Sequence, residues 1–412
     1  MARPSLLSSA SRGLRPARPL APRASVLAAL AATVALASPS KAFAVDCASL
    51  PNPVYGLGGS AAKPLIGKTA AALARVGSTD TIVYQAPGAC LGINGLIANT
   101  KITGTASYWT PDDKEQTCDL PIAGAEVHFA NMGNTAAGCP GVGTLPADIG
   151  DFPGPVQAFT LVVPLASSQQ SISSEAAYFV FGFGQTGQAS PWTDELQIFR
   201  RDVNSAAQLF ISLAVGVPSE RFKGVDTKSN AGTITAVSSS ATPEAAIGLV
   251  GGEVADANRN AVRVLAYQHR GQSCGYWPDS TPTSFDKRNV RTGQYAIWAP
   301  MHFFAKIDAA GAIVHPGAAR YLGYFTDETT APAGVDITEL SIKSGTVPAC
   351  AMEVQRQGDF GDVASYAPAE PCGCFFEKVS LGDTTCAACP SGADSECAAS
   401  APHCRHGYCE VN

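Results

Sequence analysis

Between residues 81 and 166 the chain alternates short apolar runs with Gly and Pro: Thr81-Ile82-Val83-Tyr84-Gln85, Ala125-Glu126-Val127-His128-Phe129 and Ala158-Phe159-Thr160-Leu161-Val162-Val163. Runs of this length, bounded by chain breakers, predict buried strands. Between them the spacing predicts helices over 63–76 and 92–99. A longer apolar helix is expected over 174–183, ended by Gly184-Gln185-Thr186-Gly187, and then a strand over 196–200. The polar turn that follows opens a helix over 205–216, which Gly216-Val217-Pro218 stops. Ala246–Gly251 and Ala261–Tyr267 read as two more strands. Strands alternating with helices predict an α/β fold built on mainly parallel, mixed sheets.

This pattern fails at both ends of the chain. The first 44 residues hold no Asp or Glu, carry Arg3, Arg12, Arg15, Arg18 and Arg23, and then run apolar from Val26 to Ala37. Charge followed by a short apolar run, with Ala42-Phe43-Ala44 as a cleavage site, predicts a secretory signal over residues 1–44 and hence a periplasmic or extracellular protein. Cys47 follows closely, but the residues before it lack the small-residue approach of a lipid-attachment site. Beyond Cys350 the apolar runs stop and cysteines crowd together, so that residues 350–412 read as a tail held by cross-links in place of an ordinary core.

Six of the 28 basic residues lie in the leader, leaving 22 against 34 acidic and a net charge of about −12. That surface speaks against nucleic acid and anionic membranes as partners. A small anion remains compatible with it, because helix N-termini bind anions locally whatever the global sign. Thirteen cysteines in an exported chain predict disulfides, with the odd one left free or paired between chains. Cys118 and Cys139 bracket one polar excursion and are the expected local pair.

Three segments share a design in which small or polar residues leave a strand and open a helix: Tyr55-Gly56-Leu57-Gly58-Gly59-Ser60-Ala61, Tyr84-Gln85-Ala86-Pro87-Gly88-Ala89-Cys90, and Arg201-Asp202-Val203-Asn204-Ser205-Ala206-Ala207. Each would aim unpaired backbone N–H groups and a helix dipole at one point, and Ser60, Ser205 and Arg201 could add side-chain donors. A single Gly-rich turn is more often plain turn geometry; three that converge would make an oxyanion cage.

The order of these segments, with Thr103-Gly104-Thr105-Ala106-Ser107 after the second, resembles phosphate-binding proteins of the type II periplasmic fold. Phe199-Arg200-Arg201-Asp202-Val203-Asn204-Ser205 resembles that family's Arg-Asp-x-x-Ser ligand loop, and Pro243–Val250 its later Pro-Gly-Ala-Ile-Gly-Tyr segment. The resemblance runs from Tyr55 to Lys306. It implies two lobes, 45–155 with 269–349 and 156–268, holding a phosphate-like anion between them and serving an ABC importer. The implied ligand set is Gly59, Ser60, Ala61, Gly88, Ala89, Cys90 and Ser107 from one lobe and Arg201, Asn204 and Ser205 from the other. The chain departs from the family at Ala206 and Ala207 (Gly and Thr), at Tyr108 (a proton-accepting Asp) and at Cys90 (Ser or Gly). A fully ionised oxyanion, another small solute and a site that no longer binds all stay open.

Other candidates carry blander readings. His403-Cys404-Arg405-His406 with Cys397 and Cys409 has zinc-like spacing, but disulfides are expected in an exported chain, and no metal or cofactor is called for. Asp112-Asp113 and Asp194-Glu195 read as turn acids, His128 and His302 as core residues, and Trp277, Tyr295 and Trp298 as core aromatics in preference to a cleft lining. No nucleophile, base or metal set is visible, so no enzyme is expected. The competing function is a secreted interaction protein whose tail contacts an unidentified protein partner. Deleting residues 350–412 is expected to spare ligand binding but not partner binding.

Overall fold

The computed structural model describes residues 45–326 and 329–411. The leader predicted over 1–44 lies outside the described residues. No helix among those described is long and apolar enough to cross a membrane.

The frame is one mixed sheet in the order β1-β5-β4-β3-β2-β6-β14-β7-β11-β9-β10, with β12 also on β7. On one side lie β1 (Val45–Asp46), β2 (Pro53–Gly58), β3 (Thr81–Gln85), β4 (Thr105–Trp109), β5 (Glu115–Asp119) and β6 (Phe129–Met132). On the other lie β9 (Ile198–Arg200), β10 (Val225–Asp226), β11 (Ile247–Gly251) and β12 (Val262–Val264). The trios β3-β2-β6 and β10-β9-β11 are parallel. Two antiparallel strands, β7 (Ile149–Pro164) and β14 (Trp298–Lys306), join them. Two parallel cores bridged by crossing strands are the two-lobed architecture expected from the sequence.

β7 changes partners midway. Its first part, Ile149–Ala158, pairs with β14; Phe159–Val162 then pairs with β11 and Val162–Pro164 with β12. Burial follows the change: after buried Ile149, residues 150–154 alternate between half-buried and exposed, whereas Pro155–Pro164 is buried throughout, as a strand covered on both faces requires. The apolar run 158–163 therefore marked only the second half. Pro153 and Pro155 hid the first, since proline argues against a central strand; here they lie close to a break in register at Pro300/His302 of β14. The predicted strand over 261–267 is likewise divided, into β12 and β13 (Ala266–Gln268), the latter pairing with β8 (Ser171–Ser173).

The helices fall close to expectation: α1 (Lys63–Arg75), α2 (Ala89–Ile97), α3 (Ser174–Phe183) and α4 (Ala206–Val215), the last closed by Gly216 at φ 73°. α5 (Asn230–Ser238) and α6 (Gly252–Ala257) cover the second half of the sheet. Further on come α7 (Arg288–Arg291), α8 (Pro316–Gly323) and α9 (Ile337–Lys343). Trp298 and Tyr295 are core residues as expected, whereas Trp277 is only half-buried. His128 and His302 are also half-buried; His128 stacks on His315, the cap of α8, with ring centroids 3.5 Å apart.

The cysteines correct one expectation. Cys118 bonds Cys47 and Cys139 bonds Cys90, so the local Cys118–Cys139 pair does not form and Cys47 has no free thiol for a lipid. The reason is the sheet: β1 lies parallel on β5 and sets Val45 opposite Cys118, while the excursion after β6 carries Cys139 to the start of α2. In the tail the pairs are Cys350–Cys372, Cys374–Cys386, Cys389–Cys404 and Cys397–Cys409, which uses the cysteines of the zinc-like cluster. Cys274 is free and exposed. Six disulfides are the mark of an oxidising, extracytoplasmic compartment.

The tail does not stand apart from the body. Cys372 and Phe376 on α10 (Gly373–Leu381) belong to the main core cluster together with Phe159, Phe210 and Trp298. Glu410 accepts from the N–H groups of Cys374 and Phe375 and so caps α10. Arg356 lies 4.2 Å over the ring of Trp298 and donates to the Trp298 and Ala296 carbonyls. Phe376 is 1 % exposed, so Phe376→Ala is expected to cost the whole protein about 3–5 kcal/mol. Urea unfolding followed by tryptophan fluorescence should show one transition moved to lower urea. An unchanged body transition with a separate early tail transition would contradict the shared core.

Candidate functional site

The three strand-to-helix loops do meet. Gly59 turns from β2 towards α1, its carbonyl held by the Tyr84 hydroxyl at 2.8 Å and its N–H by the Asn131 carbonyl at 3.3 Å. The second loop is tied to the first by Gly88 N–H to the Gly58 carbonyl, 3.1 Å. Two glycines permit this approach: Gly88 has φ 153°, and a Cβ on Gly92 would stand 2.5 Å from the Leu57 carbonyl oxygen. A Cβ on Gly59 would sit 3.5 Å from that of Ala89, and one on Gly88 would sit 3.2 Å from that of Asn204. The third loop thus touches the second, and Cys90 N–H donates to the Asn204 carbonyl at 3.2 Å.

Contact this close changes the donor set. Gly59, Gly88 and Cys90 each give their backbone N–H to a protein carbonyl, and Ser205 N–H goes to Asp202. These four bonds are made within the protein, so Gly59, Gly88, Cys90 and Ser205 do not offer their backbone N–H groups to a ligand. Cys90 is also withdrawn as a side-chain contact, because its sulfur is bonded to Cys139 and it is 0 % exposed. The Ala61 carbonyl accepts from Gln157 of the crossing strand at 3.2 Å.

What remains is a chain of side chains. Arg201, 5 % exposed, donates from Nη1 to Asn230 Oδ1 at 2.5 Å and from Nη2 to the Lys228 carbonyl at 3.4 Å, while its Nε has no partner. Asn230 donates from Nδ2 to Ser60 Oγ at 3.3 Å and so links the third loop to the first. Burial lowers the pKa of the guanidinium, partly offset by Asp202 and Asp226. Neither acid forms an ion pair with it: Asp202 accepts from Asn204 N–H, and Asp226 pairs with Lys228 and Arg200. A buried cation without a paired carboxylate is costly unless an anion meets it.

Ser60 and Asn230 line a cleft of about 730 Å³, walled by α1 and α5 and joined by Lys63, Ala86, Trp109 and Glu115. Lys63 meets Glu115 at 2.5 Å, and Ser107 donates to the same carboxylate at 2.8 Å. Burial raises the Glu115 pKa, but these two bonds outweigh it and hold the group below its usual range. Strand alternation on β4 turns Ser107 and Trp109 to the cleft side and sends Tyr108 against the cluster around Cys47 and Cys118. Tyr108 therefore does not face the position that the family comparison suggested for it.

Sequence reasoning missed Asn230, Lys63, Trp109 and Glu115. Ser229-Asn230 at the head of a helix was a capping signal that could have been read, since Ser229 Oγ accepts from Gly232 N–H. Nothing in the sequence tied it to Arg201.

Behind the cleft, Glu253 at the start of α6 is fully buried, and neither carboxylate oxygen meets a donor among the described residues. Desolvation pushes its pKa up to about 8 from an ordinary 4.5, against the opposing pull of nearby Gln157 and Lys287.

No family model and no curated protein matches the chain. Among solved structures it is similar to a protein named for a phosphate ABC transporter, solved with bound phosphate, from Clostridium perfringens (TM-score 0.48, 10 % identity, covering 72 % of this chain and 100 % of that one). It is similar to an ABC-type phosphate transport receptor from Vibrio cholerae (0.45, 12 %, 71 % and 99 %) and to the reduced OxyR regulatory domain from Pseudomonas aeruginosa (0.38, 10 %, 69 % and 99 %).

The Glu253 proton gives a pH test. A carboxyl whose folded pKa is raised contributes stability that is full below the ordinary 4.5 and lost as pH rises through about 8. The melting temperature should fall between about pH 4.5 and 8 in the wild type and fall less in Glu253→Gln; parallel pH profiles would mean that Glu253 is not protonated in the fold.

Proposed function

We propose that this protein is a non-enzymatic, extracytoplasmic solute-binding protein that takes a small anion into the cleft between the two halves of its sheet. The observation that carries this reading is Arg201, a buried guanidinium with no paired carboxylate among the described residues, linked through Asn230 to Ser60 on the opposite wall. Three loops from different parts of the chain converge there, and an anion offers Arg201 the charge-assisted bond that no side chain supplies. Ser60 and Lys63 on one wall and Ser229 and Asn230 on the other are polar groups of the cleft lining, Ser107 donates to Glu115 of that lining, and Asn204 and Ser205 belong to the same loop as Arg201. An ABC importer is the recipient that this reading implies.

The tail bears on the competing interaction-protein reading. Because Cys372 and Phe376 lie in the main core, removal of residues 350–412 would expose apolar surface of the body, and loss of ligand after that deletion would not identify a partner-binding module. The packing favours a structural role for the tail.

The test is thermal-shift melting of the protein against phosphate, sulfate, other oxyanions, sugars and amino acids, since a ligand that binds only the folded form raises the melting temperature. The expected result is a rise with at least one anion, retained in Ser205→Ala at reduced size and abolished in Arg201→Ala. A flat response across the panel, or a full response in a folded Arg201→Ala variant, would overturn the reading.

A further inference from the structure

The bond between Arg201 and Asn230 has a second consequence. Asn230 is 5 % exposed and is the first residue of α5; its amide lies between Ser60 on one half and Arg201 on the other. Its Oδ1 accepts from Arg201 Nη1 at 2.5 Å and so occupies the place on that N–H that an anion's oxygen would take. Its Nδ2 donates to Ser60 Oγ and so fixes that hydroxyl beside Arg201, with the Ser60 O–H still available as a donor. The amide thus occupies the Arg201 end of the contact that an oxyanion would make.

We propose that Asn230 acts as an internal competitor for the anion position, so that a tetrahedral oxyanion binds only as the Asn230 side chain turns away, and that this residue sets the affinity and size selectivity of the cleft. The inference rests on the solute-binding reading. The argument is one of unequal partners. An amide oxygen is neutral and satisfies one guanidinium N–H, leaving Arg201 Nε without a bond and Nη2 with a long one to Lys228. A phosphate or sulfate carries full charge and several oxygens, and can serve Nη1 and Nη2 together while accepting from the Ser60 hydroxyl. The amide is, however, covalently attached and already in place. The apparent affinity of the ligand is therefore reduced by the fraction of molecules in which Asn230 still occupies the position.

The charges around the pair give the latch its sign. Asp202 and Asp226 lie near Arg201 but are engaged elsewhere, by Asn204 N–H and by Lys228 with Arg200. A neutral amide adds no charge to this balance, whereas a carboxylate at position 230 would neutralise Arg201 permanently. Asn230→Ala and Asn230→Asp therefore change the same atom position in opposite directions. Asn230→Asp keeps the side-chain shape and serves as the folded control if Asn230→Ala is destabilised, and Asn230→Ser, which is shorter and leaves the Ser229 cap of α5 in place, is a second loss-of-amide variant.

The experiment is isothermal titration of the full chain and these variants with inorganic phosphate and with sulfate at low ionic strength, each protein first shown to be folded by circular dichroism. Replacing an amide contact by a charge-assisted one is expected to tighten binding by Asn230→Ala or Asn230→Ser on the order of tenfold, and binding by Asn230→Asp should be lost. Tighter binding by the alanine or serine variant supports the inference even where the wild type shows no heat. Equal or weaker binding by both, with a wild type that does bind, overturns the inference and makes Asn230 an ordinary ligand contact, leaving the solute-binding reading intact. No binding by any of the proteins overturns both.

Discussion

The antiparallel pairing of β7 with β14 is the constraint from which the rest of the structure follows. A parallel trio of strands cannot close on itself, and each half of this sheet needs a neighbour along its inner edge. β7 provides one for both by running 16 residues and exchanging β14 for β11 and β12 partway along. The exchange brings the carboxyl ends of β2, β3 and β9 towards one another, and those are the ends at which the three loops turn into helices. In open α/β sheets, ligands bind outside such ends where the strand order reverses. The site is in this sense a product of the crossing strand.

Bringing helix starts this close uses up many of their own donors. The backbone groups of Gly59, Gly88 and Cys90 find carbonyls within the protein, as buried backbone groups must. The groups left over are side chains at the margin, above all Arg201. Its burial without a paired acid, and the burial of both Glu253 carboxylate oxygens, are two of several places where the interior of the described residues carries polar groups without a partner; Asn134, Gln208 and Trp298 are others. A fold that packs its core this thoroughly elsewhere, from Phe129 to Phe304, could have accommodated apolar side chains at either position. Unsatisfied buried polar groups of this kind are costs that function commonly explains.

The cross-links serve the same geometry. Cys90–Cys139 fastens the head of α2, whose first loop residue touches Asn204, to the excursion after β6. The next turn of that excursion is held from the tail, because Asp359 accepts from the N–H and hydroxyl of Thr135. The path from tail to cleft therefore runs through one loop, one disulfide and one helix start. This gives a physical role to a segment whose composition alone suggests an appendage.

The sequence by itself determined the local structure. Periodicity and stop signals placed α1, α3 and α4 within a residue or two, and the three small-residue loops were identified because strand-to-helix turns need glycine and hydroxyl residues wherever they occur. The disulfide chemistry of the cysteines was also legible from their number, and twelve of the thirteen are paired. Tertiary structure alone decided who meets whom. Cys118 pairs with Cys47 in place of Cys139 because β1 docks on β5, and the first half of β7 is a strand despite two prolines because β14 lies beside it. Asn230 reaches Arg201 and Ser60 because α5 packs across the half-sheet that carries β9. Each of these depends on contacts between residues far apart in the chain, whose partners are set by packing and by the register of the sheet, and no local pattern encodes them.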